Sequence, residues 1–462
     1  MNLLLIGILA FIAVQLAIGY IVSRKVRSED DYLLAGRQLG VPLATFSIFA
    51  TWFGAESCIG SAGTAYDAGL AGISSDPFGY GLCILIVGSF FARKFWDMKL
   101  VTIADYLRVR YSERSARLCA LLMVPTSFLW TAAQIRAFGT VLSAVTEIDL
   151  TLAIAAATGI VLFYTSFGGM MADVITDLIQ GTILITGLGM LLYFTADHLG
   201  GAASFAAHIG AGISSGAAAN DMSLLQRAEQ WLIPICGSIF AQELISRTLS
   251  SRSSAVAQRS ALTAGVLYIL VGLIPLSIGL AGASIVPGLT DGEQVLPAMA
   301  SRFLTPTLYI IFTGAMISAI LSTVDSTLLA ISALITHNAF PMSKNLPERQ
   351  KIAIDRTIVI IAGLASALFA LGADGVYELV KDASAFGSAG IFVVILLGVY
   401  TKLGNDRGAI ATLAGGTITW IVCYYILGLE FSYLYSLLVS FTLYFLFHFF
   451  PGTGIRSSAS TA

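Results

Sequence analysis

Charge is what this sequence has least of. Only 11% of its 462 residues are Asp, Glu, Lys or Arg, where a soluble chain carries about a quarter. No basic run is present, so the electrostatic footprint of a nucleic-acid binder is missing. The net charge of −2 points to no charged partner. The five cysteines (Cys58, Cys83, Cys119, Cys236 and Cys423) are scattered through apolar segments. That spacing excludes a disulfide framework and a zinc pattern, and leaves buried thiols. The four histidines (His198, His208, His337 and His448) are too dispersed to form a site. No metal-ligand run or nucleophile motif stands out, so an enzyme is not expected. A channel filter motif is missing as well.

What the chain has is apolar length. It is 57% hydrophobic and holds 45 glycines, a composition suited to helices packed closely in lipid. Hydropathy marks thirteen spans of about 20 residues each. They lie near 2–23, 42–67, 72–93, 117–143, 149–167, 173–195, 231–249, 259–282, 307–333, 356–373, 377–400, 408–428 and 431–450. The first of these lacks the basic start of a signal peptide, and its charges follow the apolar run. No connection reads as a soluble domain, so residues 1–462 form one all-α polytopic membrane domain. With the N-terminus outside and the C-terminus inside, all but four of the 25 basic residues fall on the cytoplasmic side. Arg227, Arg302 and Lys381 fall outside, and Arg136 lies within the fourth span.

Two spans look broken. The second carries Phe53-Gly54-Ala55-Glu56-Ser57 at its middle; the seventh carries Pro234, Gly237, Ser238, Gln242 and Glu243. Interruptions five spans apart point to an inverted repeat with a binding site near the membrane midplane. Unwound backbone there offers carbonyls to a cation and N–H groups to an anion.

The ninth span carries the densest polar cluster. TGAMISAILSTVDST, Thr313 to Thr327, places Ser318, Ser322 and Ser326 on one helix face with Asp325 at its edge. Hydroxyls in lipid often satisfy their own helix carbonyls, but a carboxylate among them is expensive unless it is functional. Oxygen ligands beside a carboxylate suit a small hard cation such as Na⁺. Asp177, in GGMMADVITDLIQG, falls at a matching depth of the sixth span. Asp173, one turn earlier, reads as a solvated acid at a helix start, and Arg247 as the mark of a cytoplasmic helix end. Arg136, in TAAQIRAFG, is the one basic residue deep in a span. Either it clamps a solute carboxylate, or it pairs internally with Glu56 or Asp76.

The segments DYLLAGRQLG, ATWFGAESCIGSAG, GGMMADVITDLIQG, QELISRTLSSRS and AILSTVDSTLL, in this order over about residues 30–335, resemble the sodium:solute symporter family. That family includes sodium/proline, sodium/galactose and sodium/sialic acid transporters. The resemblance implies a leucine-transporter-type 5+5 inverted repeat. Residues 1–40 would hold the first span and a loop, 41–195 and 196–401 the two repeats, and 402–462 two peripheral spans and a tail. It implies a Na⁺ site from the carbonyls of Ala50, Phe53 and Ala319 and the hydroxyls of Ser322 and Thr323. A second cation or coupling group would involve Asp177, Ser326 and Asp325, the last standing where some relatives carry serine. Positions that face solute in relatives correspond to Trp52, Gly54, Glu56, Ser57 and Asp76; Gln134, Arg136 and Gln242 are further candidates. Trp52 reads as a stacking or gating ring or as plain packing.

The function expected is Na⁺-coupled symport of a small polar solute by alternating access. Acids at positions 56 and 76 with a base at 136 would suit an amino acid or another carboxylate-bearing solute. Proton coupling or a sugar or polyol substrate is the alternative of the same fold. A sensor acting through a partner protein is the alternative of another class, since only PGTGIRSSASTA follows the last span. The expected setting is the plasma (inner) membrane, with lipid, Na⁺ and solute as partners and no nucleic acid. The oligomeric state is open.

Overall fold

Lipid offers no hydrogen bonds, so a chain crossing it must satisfy its backbone within helices. In the computed structural model, residues 27–69, 74–146, 148–215, 223–342, 345–373 and 375–449 are described, with isolated residues between 6 and 21. Among these the chain is helical and no strand forms. The one β-type pairing is an isolated bridge between Leu39 and Ser251.

In chain order the main helices are α1 (Val41–Trp52), α2 (Ser61–Ala68), α3 (Asp76–Asp97), α4 (Glu113–Thr146), α5 (Leu150–Gly168) and α6 (Met170–His198). There follow α7 (Ala202–Ser215), α8 (Leu224–Ser238), α9 (Gln242–Leu249), α10 (Ser254–Ile285), α11 (Pro306–Leu334) and α12 (Glu348–Gly372). The last are α13 (Val376–Ala385), α14 (Ser388–Tyr400), α15 (Asp406–Ile421) and α16 (Ser432–Phe449). Eight helices among the described residues are long and apolar enough to cross a membrane; a ninth crossing is the pair α13–α14, bent by 43°. This is fewer than thirteen because the predicted second, fifth and seventh spans fall on shorter helices. The predicted span 2–23 lies outside the described residues apart from isolated positions.

The breaks have local causes. α1 stops at Trp52, where Phe53 leaves helical space at φ −91°, ψ 68°; a wide π turn, Glu56–Gly60, then leads into α2. Pro234 lies inside α8, and α8 and α9 are separated by Ile239–Ala241. A third break was not expected. Gly387, at φ +66°, takes a left-handed conformation between α13 and α14.

At the centre stands α11. Every residue from Phe312 to Leu334 is buried, against α4 and α6 on its long faces. On α12, by contrast, Ile360, Ile361, Leu364 and Leu368 are exposed, as a lipid-facing surface requires. Backbones approach closely beside the first break. A Cβ at Gly279 of α10 would lie 2.9 Å from Ala62 Cα and closer still to the Ala62 carbonyl oxygen. Backbone cannot swing aside as a side chain can. Gly279→Ala is therefore expected to destabilise the protein by about 1–3 kcal/mol. In detergent this should lower the melting temperature measurably, while Gly189→Ala, with nothing within 4 Å, leaves it unchanged.

Candidate functional site

The break after α1 faces α11 and α6, and the polar side chains of all three converge. Thr323 Oγ1 lies 3.4 Å from the Ala50 carbonyl and 3.2 Å from that of Ala319. Ser322 donates its hydroxyl hydrogen to Asp177 Oδ1, and Ser47 donates to Asp177 Oδ2 at 2.7 Å. A Cβ at Gly54 would sit 2.6 Å from Thr323 Oγ1, so the unwound peptide presses directly on that hydroxyl. Oxygen atoms from three helices thus surround one buried point: Ala50, Ala319, Ser322 and Thr323, with Asp177 behind. Phe53 is the residue at which α1 ends.

A charged cluster lies beside this point, and it corrects two expectations. Arg247 is among the largest fully buried side chains and does not mark a solvated helix end. Its guanidinium donates to Asp173 Oδ2 and to Ser326 Oγ, to Thr51 Oγ1 at 3.0 Å, and approaches Asp177 Oδ2 at 4.0 Å. Asp173, expected in water, is 3% exposed. The segment before α1 packs at the mouth of α6: its short helix Glu29–Leu34, fixed by a Ser28–Asp31 capping box, buries Tyr32, Leu33 and Leu34, and the Tyr32 ring packs on Gly169, at φ +73°. Asp325 points elsewhere and accepts from Thr165 of α5. Ser326 is engaged by Thr51 at 3.0 Å and by Arg247.

A second group forms on the other side of the break. Gln134 of α4 accepts from the Ala55 N–H at 2.8 Å and donates to Glu56 Oε2 at 2.8 Å. Ser57 Oγ lies 2.6 Å from Tyr268 OH, which donates to Asp76 Oδ2 at 3.0 Å. The remaining oxygens, Glu56 Oε1 and Asp76 Oδ1, are buried without a hydrogen-bond partner among the described residues, as is Trp52 Nε1. Trp52, Tyr80 and Trp130 form one aromatic cluster, the two tryptophans tilted with centroids 5.5 Å apart and Tyr80 edge-on to Trp130 at 5.9 Å. Glu56, Asp76, Tyr80 and Lys381 line a cavity of about 10 Å³, room for about one water. A larger cavity of about 580 Å³ shares Ile233, Tyr377 and Lys381 with it. Tyr80 and Tyr268, which complete this group, carried no sequence signal beyond an aromatic in an apolar span.

Two candidates are not brought here. Arg136 donates to the Ala370 carbonyl at 3.1 Å, and pairs with neither Glu56 nor Asp76. At 100° per residue it faces away from Gln134, two positions earlier on α4. It faces Glu293, whose carboxyl burial holds above the usual range although Val376 and Tyr377 N–H groups and the Arg136 charge favour its ionised form. Gln242 accepts from Ile103 N at 2.8 Å and donates to Ser246 at 2.8 Å. It lines a different cavity, of about 30 Å³, with Ser127, Trp130 and Glu243.

Removing one partner of a buried ion pair strands the other charge, at a cost of about 3–5 kcal/mol. Arg247→Leu is expected to lower the detergent melting temperature far more than Ser326→Ala. Asp173→Asn combined with Arg247→Leu should recover part of the loss, measured against both single variants as a double-mutant cycle. Additive losses would show that the two groups do not act as a pair.

Comparison with known proteins places the chain in a family. Residues 32–416 match the sodium:solute symporter family. The high-affinity choline transporter 1 of Caenorhabditis elegans is 26% identical over 448 residues, covering 90% of this chain and 77% of that protein. The sodium/glucose cotransporter of Vibrio parahaemolyticus is 25% identical over 441 residues, covering 87% and 81%. Among solved structures, a Na⁺-coupled sialic acid symporter in a substrate-bound outward-open state superposes with a TM-score of 0.83 at 18% identity, over 97% of this chain and 98% of that one. The fold is therefore of the leucine-transporter type. The chain belongs to the sodium:solute symporter family: it is a multi-pass membrane transporter, not an enzyme, and Na⁺ is its coupling ion.

Proposed function

We propose that this transporter imports a small organic cation together with Na⁺. The observation that carries the reading is the pair of unpartnered carboxylate oxygens, Glu56 Oε1 and Asp76 Oδ1, beside the Trp52–Tyr80–Trp130 cluster. A buried carboxylate without a hydrogen bond is costly, and the solute is the natural source of its partner. Aromatic faces attract a cation within about 6 Å of the ring centre, so acids and rings together select an ammonium group. With Arg136 facing Glu293 and Ala370, the base that favoured a carboxylate-bearing solute is not at this site. The choline transporters among the relatives carry a substrate of the matching chemistry.

The Na⁺ ligands are the carbonyls of Ala50, Phe53 and Ala319 and the hydroxyls of Ser322 and Thr323. Asp177 acts one step back. By accepting the Ser322 hydroxyl hydrogen, it turns the serine lone pairs toward the ion, the orienting role of an outer-shell group. Ion binding ties α1 to α11 and fixes the break, the solute then engages Glu56, Asp76 and the rings, and the site closes. Inward Na⁺ movement supplies about 2.3 kcal/mol per charge at 100 mV.

One observation favours a second reading. Lys381 lines the same cavity as Glu56 and Asp76, so a zwitterion with its carboxylate toward Lys381 also fits.

In proteoliposomes with an inward Na⁺ gradient, the wild type is expected to accumulate choline and not glucose. Glu56→Gln and Asp76→Asn should each cut that uptake at least tenfold. Asp177→Asn should raise the Na⁺ concentration for half-maximal uptake by about 10–100-fold, as loss of an outer-shell partner does. Uptake of a neutral amino acid that is lost in Lys381→Gln would favour the zwitterion, and uptake of glucose alone would refute both readings.

A further inference from the structure

The ion group and the solute group lie on opposite sides of one short stretch of unwound backbone. That stretch is held by a single side chain from outside both repeat breaks. Gln134 is fully buried, and its primary amide is used at both ends. Its carbonyl oxygen takes the Ala55 N–H and its amino group holds Glu56 Oε2, each at 2.8 Å. The residue before Ala55 is Gly54, whose Cα faces Thr323. A Cβ there would lie 2.6 Å from Thr323 Oγ1 and 2.7 Å from Gln134 Oε1. From Thr323 to Gly54, to Gln134 and on to Glu56, each group is in contact with the next.

We propose that Gln134 is not a ligand of the solute but the strut that couples the two sites. The proposal rests on the ion and solute assignments above. The physical step is simple. An ion drawing on the carbonyls of Ala50 and Phe53 and on Thr323 fixes the 53–55 backbone. This fixes the direction of the Ala55 N–H, which sets the Gln134 amide. A primary amide is rigid and planar, so orienting its oxygen orients its N–H₂. Glu56 is then held through Oε2, with Oε1 left for the solute. Without the ion, the 53–55 segment and the amide can turn, and Glu56 loses its fixed aim. The solute thus meets a prepared carboxylate only when Na⁺ is bound, and by reciprocity the solute tightens Na⁺.

The neighbours of Gln134 on α4 bind differently. Thr131 donates to Thr327 of α11 at 2.8 Å, and Ser127 to Glu243 at 2.7 Å. Each fastens α4 to a single element. Gln134 instead joins the Ala55 N–H of the unwound peptide to a carboxylate of the solute group.

The test reads coupling separately from binding. Purified protein is titrated with Na⁺, with and without saturating choline, and the midpoint is followed by thermal stabilisation. In the wild type, choline should lower the Na⁺ midpoint at least fivefold. In Gln134→Leu that ratio should fall to within twofold of one, while the Na⁺ midpoint without choline stays within threefold of wild type. Gln134→Glu keeps the acceptor for Ala55 and loses the donor to Glu56, so it should lose coupling too; it serves if the leucine variant does not fold. Thr131→Val should keep the wild-type ratio. An undiminished ratio in either Gln134 variant overturns the strut, as does an equal loss in Thr131→Val. A wild type that responds to Na⁺ but not to choline counts against the organic-cation reading alone. The same variants are then measured with a neutral amino acid or glucose, whichever shifts the wild-type midpoint, and an undiminished ratio there overturns the strut equally.

Discussion

A helix broken inside a membrane frees backbone groups that lipid cannot satisfy. The rest of this structure is arranged around one such break, at Phe53–Glu56. Four of the elements packed around it supply something the freed peptide or its neighbours need. α4 gives an amide to Ala55. α11 brings Thr323 to the Ala50 carbonyl. α6 brings Asp177 to Ser47 and Ser322. α10 comes close enough, through Gly279, for its backbone to lie on Ala62 just beyond the break. This is why α11, buried from Phe312 to Leu334, carries hydroxyls along that stretch. Its hydroxyls are not tolerated exceptions in an apolar span but the partners that let α1 unwind where it does.

Charge follows the same logic at a higher cost. Arg247, Asp173, Asp177 and Asp325 are all buried in one region, where an isolated ion would be prohibitive. Only Arg247 and Asp173 form a close pair; Asp177 is held by two serine hydroxyls and Asp325 by Thr165. One guanidinium among three carboxylates leaves the region short of positive charge. A Na⁺ at the site proposed beside Asp177 would reduce that deficit. Arg247 also engages Ser326 and Thr51. The guanidinium therefore stands where the sequence suggested a second cation, and uses the hydroxyls that such a cation would need.

The parts legible in the sequence are those that break a local rule. Glycine and a carboxylate inside an apolar run exposed the first break, and proline and polar residues the second. Ser322, Thr323 and Asp177 stood out because hydroxyls and acids are rare at such depth. Arg247 and Asp173 were misplaced because both lie near predicted span ends, where a charge is ordinary. Hydropathy does not show what engages them: Arg247 reaches Thr51, Asp173 and Ser326 on neighbouring helices. Arg136 was misread for the opposite reason. It lies well inside an apolar run, but α4 is 34 residues long, and its guanidinium reaches the Ala370 carbonyl at the end of α12 instead of the midplane. The third break, at Gly387, left only a glycine among many.

The solute site proposed above gives coupling a physical basis. With Glu56 Oε1 and Asp76 Oδ1 unpartnered among the described residues, closing the cavity without a solute would leave these oxygens without hydrogen bonds, a cost that grows as water is excluded. An ammonium group, as proposed, would supply those partners on entering, and Tyr80 on the cavity wall would add an aromatic ring beside it. On that assignment a loaded site would close more readily than an unloaded one, and the two carboxylates would act as a check against a cycle without solute. Na⁺ alone would not relieve the check, because its proposed ligands lie across the break from Glu56 Oε1 and Asp76 Oδ1. Both passengers would then be needed for one physical reason: each would answer a different group of buried oxygens around one unwound peptide.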